Sequence, residues 1–323
     1  RTWQAGLFRR QDYAGSACVQ ASGVTLRTVN DRKPASLMRE HAAARELSAM
    51  NPMRKPAIAL FAVTAALTQP ASTRAEMIEH KTVFDVKYGL ISIGKAVFDI
   101  RFDQKRYVLD ASGKTVGVAE MVAPGEGTVE SEGLILESGV IAEKHEAVFT
   151  DRKKDKKKKL EMSFQNGEVE NVKLDPDKKK DKSGPKWVPV SAEQLRSVID
   201  PASSIIVPVD WSRANDPKAV CNRMLNIYDG DTRYDIELKY KSTNPVRTEG
   251  YRGYAYVCSL RYIPVSGHKK KQRNVEYMRK NEGIEIWLAP MAKTNLYTPI
   301  RIEVPTWVGT FSAIPDYFGV VTH

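Results

Sequence analysis

The sequence predicts an all-β protein with one or two short helices, built as a strongly curved antiparallel sheet, an open barrel or a β-spiral. Two observations predict it: apolar residues recur at every second position over many segments, and tight-turn dipeptides join those segments. Phe84, Val86 and Tyr88 alternate with Asp85 and Lys87. The same period of two runs through Phe98, Ile100 and Phe102, through Tyr107, Leu109 and Ala111, and through Leu160, Met162 and Phe164. It returns in Tyr234, Ile236, Leu238 and Tyr240, and in Ile300, Ile302 and Val304. Such alternation sets one row of side chains against a core and the other in water, which is the pattern of a strand. Asn166-Gly167 and Asp229-Gly230 each lie between two such runs, where their tolerance of positive φ suits a hairpin turn. Asn281-Glu282-Gly283 predicts a third hairpin. Strands joined by hairpins pair antiparallel, and a sheet this large must curl to bury one face.

Two segments depart from the pattern. Val116–Val122 is a short apolar piece ended by Ala-Pro-Gly, enough for one or two helical turns. Ser191-Ala192-Glu193-Gln194 has the spacing of a capping box ahead of Leu195, Val198 and Ile199, and Pro201 ends the helix it would start. One short helix of this kind suits the plug of an open end.

The chain upstream reads differently. Met53-Arg54-Lys55 is a positive start, residues 57–67 are an apolar run, and Thr73-Arg74-Ala75 is a small-residue stop before Glu76. In that order these are the parts of a secretory signal peptide at 53–75, cleaved between Ala75 and Glu76. The run falls short of the ~20 residues that span a bilayer. A signal peptide works from an N-terminus, so residues 1–52 are read as a non-native or disordered upstream segment; the rival is a genuine extension. Cysteine does not follow the apolar run, so a lipid anchor is not expected. Cleavage releases residues 76–323, a single curved β-domain, into the oxidising periplasm.

Charge agrees with this division. The 323 residues carry 50 Lys+Arg and 39 Asp+Glu, a net +11, but residues 1–75 alone hold 11 basic and 4 acidic side chains. Without them the case for a polyanion partner weakens. Three lysine clusters remain: Arg152–Lys159, Lys178–Lys182 and Lys269–Lys271. They read as solvated loop tips that guard strand ends, or as an anionic-surface contact, peripheral to a membrane at most. No aromatic residue interrupts them, so base stacking and nucleic acid have no support.

Residues 76–323 hold two cysteines, Cys221 and Cys258. In an exported chain an even pair reads as a disulfide, worth roughly 4 kcal/mol of chain entropy for this loop; two buried free thiols are the alternative. Metal binding needs more ligands at closer spacing. Redox chemistry would want Cys-x-x-Cys. His145-Glu146 begins like a zinc-protease helix, but Phe149 stands where the second His belongs. There is no Gly-x-Ser-x-Gly elbow and no phosphate-cradling glycine loop. His80, His145 and His268 are scattered, each a surface or structural histidine on this reading. The sequence offers no catalytic residue, metal or cofactor, and leaves only an Asp/Glu pair brought together by folding.

Three blocks carry a resemblance. They are Phe84–Gly94, the stretch from Cys221 to Leu238 with Tyr228-Asp229-Gly230-Asp231-Thr232-Arg233-Tyr234-Asp235, and Trp287-Leu288-Ala289-Pro290 running on through Tyr297-Thr298-Pro299-Ile300. The chain resembles the Gram-negative envelope family known only as domain of unknown function number three thousand one hundred and eight. The resemblance implies an exported β-rich protein without established catalytic residues, and it implies pairing of Cys221 with Cys258. The lysine-rich insertion 152–182 and residues 1–52 depart from the family.

The function expected first is a non-catalytic periplasmic protein that supports envelope integrity by binding a partner protein. The second is a carrier of a lipid or other amphiphile within the curved sheet, lined by Tyr254, Tyr256, Trp287, Trp307 and Phe311; these aromatics otherwise fill the core. A carrier needs an interior cavity of ~300 Å³ or more. A carboxylate-based hydrolase is third. An outer-membrane barrel is disfavoured, because the strand faces are charged and no lipid-facing band is visible.

Overall fold

The computed structural model describes residues 77–176, 182 and 184–321. The predicted signal peptide, its Ala75–Glu76 cleavage point, the segment 1–52 and most of the second lysine cluster lie outside them.

The chain opens with seven strands: β1 (Ile78–Tyr88), β2 (Ile91–Phe102), β3 (Arg106–Thr115), β4 (Gly125–Ile135), β5 (Val140–Asp151), β6 (Lys156–Gln165) and β7 (Glu168–Asp175). Helix α1 (Gly117–Val122) joins β3 to β4. After an irregular crossing come β8 (Val207–Pro208), helix α2 (Pro217–Cys221), β9 (Arg223–Tyr228), β10 (Arg233–Thr248) and β11 (Tyr251–Ser266). Helix α3 (Arg273–Lys280), β12 (Glu285–Pro290), β13 (Leu296–Thr306) and β14 (Gly309–Val320) complete the fold. The strands form one sheet in the order β7-β6-β5-β4-β3-β2-β1-β14-β13-β12-β11-β10-β9, with β8 on β13. Two meanders are thus joined where β1 pairs antiparallel with β14.

Every alternating run forms the strand its pattern predicts. Asn166 and Gly167 take positive φ between β6 and β7, and Gly230 does so between β9 and β10. The third hairpin differs. Strands β11 and β12 do pair antiparallel, but α3 lies between them and Asn281–Gly283 is only the tail of that connection. The helix is anchored by Tyr277, whose hydroxyl donates to Pro305 O at 3.3 Å.

The sheet is an open barrel with edges at β7 and β9. The gap is filled by the crossing strip of chain. Val188 N–H donates to His268 O, Gly267 N–H to Val188 O, Ile199 N–H to Asn226 O and Tyr228 N–H to Ile199 O, at 2.7–3.0 Å. On the β7 side Val198 N–H donates to Gly167 O at 3.0 Å. This explains why the predicted helix after Ser191 is cut short. The capping-box bonds form, with Ser191 N–H on Gln194 Oε1 and Gln194 N–H on Ser191 Oγ. Only a 3₁₀ turn over Glu193–Leu195 follows. The amide of Val198 is taken by the β6–β7 turn and that of Ile199 by strand β9, so they are not available to a helical ladder.

Inside the curve the strip packs against the strands. Val198 joins Ala142, Met162, Phe164 and Tyr228 in one apolar cluster. Ile206 joins Ile100, Phe102, Tyr107, Leu109, Met291 and Leu296 in a second. Val207 and Val209 join a third with Val220, Leu238, Leu288 and Tyr297, together with both cysteines. Burying each such side chain contributes about 1.5–3 kcal/mol. Cys221 and Cys258 form a disulfide with Cα atoms 5.4 Å apart. It joins the end of α2 to β11, at the opposite end of β9 from the Asp229-Gly230 turn.

Candidate functional site

The most concentrated polar chemistry lies where the crossing strip meets the sheet interior. Asp200, Ser203 and Tyr107 are fully buried, and Ser131 and His145 nearly so. Asp200-Pro201-Ala202-Ser203 forms an Asx turn: Asp200 Oδ1 accepts the backbone N–H groups of Ala202 and Ser203, both at 2.9 Å. Ser131 Oγ, from β4, donates to the same oxygen at 3.0 Å, and His145 Nδ1, from β5, lies 2.9 Å from it. Ser203 Oγ donates to Asp200 Oδ2, and Tyr107 OH donates to Ser203 Oγ at 2.6 Å. Burial by itself would push the Asp200 carboxyl up; His145 and Ser203 outweigh it and hold it below the usual range. Burial, with Asp200 nearby, pushes the Tyr107 phenol far above its ordinary value.

Ser131, His145 and Asp200 have the residue types of a catalytic triad but not its geometry. In a triad the imidazole bridges its partners through two different nitrogens. Here Ser131 Oγ lies 2.8 Å from Nδ1, the same nitrogen that faces Asp200. The cluster ties the crossing strip to β3, β4 and β5. No single sequence motif announced it; the Asp-Pro-x-Ser turn was the one readable part.

Carboxylates do come together, on the outer face. Register places Asp99 opposite Asp110, Asp110 opposite Glu130, Glu130 opposite Glu146 and Glu146 opposite Glu161, across β2 to β6. Lysines neutralise much of the row: Lys81 lies 3.1 Å from Asp99, and Lys159 lies 2.9 Å from Glu146 and 2.7 Å from Glu161. Lys159, together with Lys173, holds the Glu161 carboxyl below its usual range. A hydrolytic acid needs the opposite shift. An open depression of about 540 Å³ lies on this face, lined in part by Lys95, Lys114, Thr128 and Lys157.

The five aromatics singled out from the sequence do not form one surface. Tyr256 stacks on Tyr297 and donates to Asn215 O, and Trp287 packs under Arg301. Tyr254, on β11, is exposed. Trp307, 82 % exposed, and Phe311 belong instead to the β13–β14 hairpin.

That hairpin is part of a rim. Its turn is bonded to the β1–β2 turn: Gly89 N–H donates to Thr310 O at 2.9 Å and Tyr88 OH donates to Val308 O. Next along the rim, Val116 N–H at the start of α1 donates to Ile93 O at 3.0 Å. Beyond α1 lies the first lysine cluster, where Lys153 Nζ donates to Val122 O at 3.1 Å and Arg152 N–H to Pro124 O at 3.0 Å. Lys156, Lys157 and Lys158 are exposed. Lys182 behaves differently. It is largely buried in the seam, bonded to Asp231 and Gly267 O, and stands with Lys269 over the Trp187 ring.

Residues 83–314, more than half of the chain, match the profile of a protein family of unknown function, DUF3108. The chain belongs to the DUF3108 family. Among solved structures this DUF3108 chain is similar to a β-barrel-like protein of domain of unknown function DUF1849 from Brucella abortus. The two are 10% identical, with a TM-score of 0.45, over 77% of this chain and 100% of that one. No curated protein matches.

Proposed function

We propose that this DUF3108 protein is a non-catalytic periplasmic protein that supports cell-envelope integrity by binding a partner protein at its surface. One observation carries the reading: the chain's own residues 198–209 occupy the inside of the curved sheet, pinned there by Asp200. A lipid carrier needs that space for its cargo. What the protein offers instead is outside surface. Among the described residues, strand β7 ends the sheet and is paired to a neighbouring strand only by β6. Extended peptides add to such an edge through main-chain hydrogen bonds. Export supports the periplasmic setting, through the signal-peptide pattern of 53–75 and the disulfide between Cys221 and Cys258. The reading calls for no metal and no cofactor.

The test is native mass spectrometry of the unreduced protein purified from an exporting Gram-negative host, followed by crosslinking in that host. A bare mass for residues 76–323 with one disulfide, and crosslinks from β7 to an envelope protein, are expected. A small molecule shed on activation would replace the reading with a carrier. A mass that retains residues 1–75 would overturn export by cleavage.

A further inference from the structure

Four connections lie side by side along one rim of the sheet: β13–β14, β1–β2, β3–β4 through α1, and β5–β6. The first three each end in large apolar side chains held in water. Trp307 is 82 % exposed and Val308 52 %; Leu90 is 97 % and Ile91 54 %; Met121 is 83 % and Val122 69 %. Scattered exposed apolar residues need no explanation, but a contiguous set does. The opposite rim is the internal comparison. On the same half of the sheet its turns are Asp103-Gln104-Lys105, Leu136–Gly139 and Asn166-Gly167, where Leu136 is the one exposed large apolar residue; the ends of β1 and β14 on that rim add only the less exposed Met77 and Val320.

We infer that this rim docks the protein on an anionic phospholipid surface. The inference does not depend on the protein-partner reading above. Three features select a lipid surface over a folded partner. The apolar groups stand on turn tips and on a six-residue helix, so they protrude and do not line a groove. An indole and aliphatic side chains at such tips suit the headgroup boundary, where amphipathic rings and apolar anchors collect. The fourth connection supplies the matching charge. Lys156, Lys157 and Lys158 are exposed beside the apolar tips, and Lys153 reaches the carbonyl of Val122 in α1. Lysines in this position attract lipid phosphates. The rim is preorganised, because the Gly89–Thr310 and Val116–Ile93 backbone bonds fix neighbouring tips to one another.

The experiment is co-sedimentation of protein from the exporting host with two sets of vesicles: phosphatidylcholine alone, and phosphatidylcholine with about a third phosphatidylglycerol. Salt-sensitive binding to the second set is expected. The variant Leu90→Ser/Met121→Ser/Trp307→Ser should weaken it about tenfold or more, and so should Lys156→Ser/Lys157→Ser/Lys158→Ser. Both variants alter exposed positions, and unchanged thermal melting confirms that they fold. Emission of Trp307, isolated by difference from Trp307→Phe, should shift to shorter wavelength on the anionic vesicles. Absence of binding to anionic vesicles overturns the inference. So does full binding by the apolar variant, which would mean charge adsorption or attachment elsewhere. A dimer that shields the rim would assign it to a second copy.

Discussion

Asp200 shows how one side chain holds a long irregular segment in place. Its Oδ1 accepts from Ser131, Ala202 and Ser203, and His145 stands beside it. Asp200→Ala strands these donors away from water, and losing one partner of a buried network is costly. Urea unfolding of Asp200→Ala should show a loss of about 3 kcal/mol or more. A loss below about 1 kcal/mol would mean that the strip is held by apolar packing alone. His80 offers a second test. It is buried edge-on to Phe318 at 4.3 Å, and burial pushes its imidazole down to about 4. The unfolded chain then takes up the proton first as pH falls. Stability from this group is intact above pH 6.5 and is lost as pH falls toward 4, by about 3 kcal/mol. Urea midpoints at pH 7 and pH 4 should record that loss, and His80→Leu should remove most of it. At this scale little was readable in the sequence. Ser131 and His145 face each other across the β4–β5 hairpin, but Asp200 lies 69 residues beyond Ser131 and only folding brings it to them.

At the scale of elements the sequence was far more informative, and the reason is physical. A strand with one wet face must alternate, so Phe98–Phe102 or Leu160–Phe164 declare themselves locally. The segment after Ser191 carried a true capping signal, but partners distant in sequence claimed its amides. Helix α3 was readable and was missed: Glu276 and Arg279 form an i,i+3 pair 2.7 Å apart, on the spacing a helix would give them. The disulfide is the element-level prediction. It links positions 37 apart, so Cys221→Ala/Cys258→Ala should lower stability by roughly 4 kcal/mol through the freed unfolded chain. Equal unfolding midpoints for the double variant and the parent would contradict this.

At the scale of the whole sheet, the crossing strip changes what curvature is for. An open curved sheet invites the reading of a container, and the aromatic residues named from the sequence fit that idea. Yet Tyr256 and Trp287 are packed, while Trp307 points outward from a turn. Alternation tells which face of a strand is buried but not what buries it. Here the filling is residues 198–209, whose role depends on β9 lying opposite β7 across the gap, an arrangement that no local pattern encodes.

The pairing of β1 with β14 also sets the order of events in time. Each meander is built from hairpins between consecutive strands, which close quickly because little chain lies between them. The contact His80↔Val320 joins the two halves and must wait for almost the whole β-domain to be made. Until then β1 exposes an unpaired edge, the kind of surface that recruits strands from other chains. Pulse-labelling hydrogen exchange during refolding should therefore protect amides of β4–β6 first and the β1–β14 ladder last. Simultaneous protection of both would mean that the halves do not fold as units. A chain crossing a membrane from one end would be committed to that vulnerable interval every time it is made.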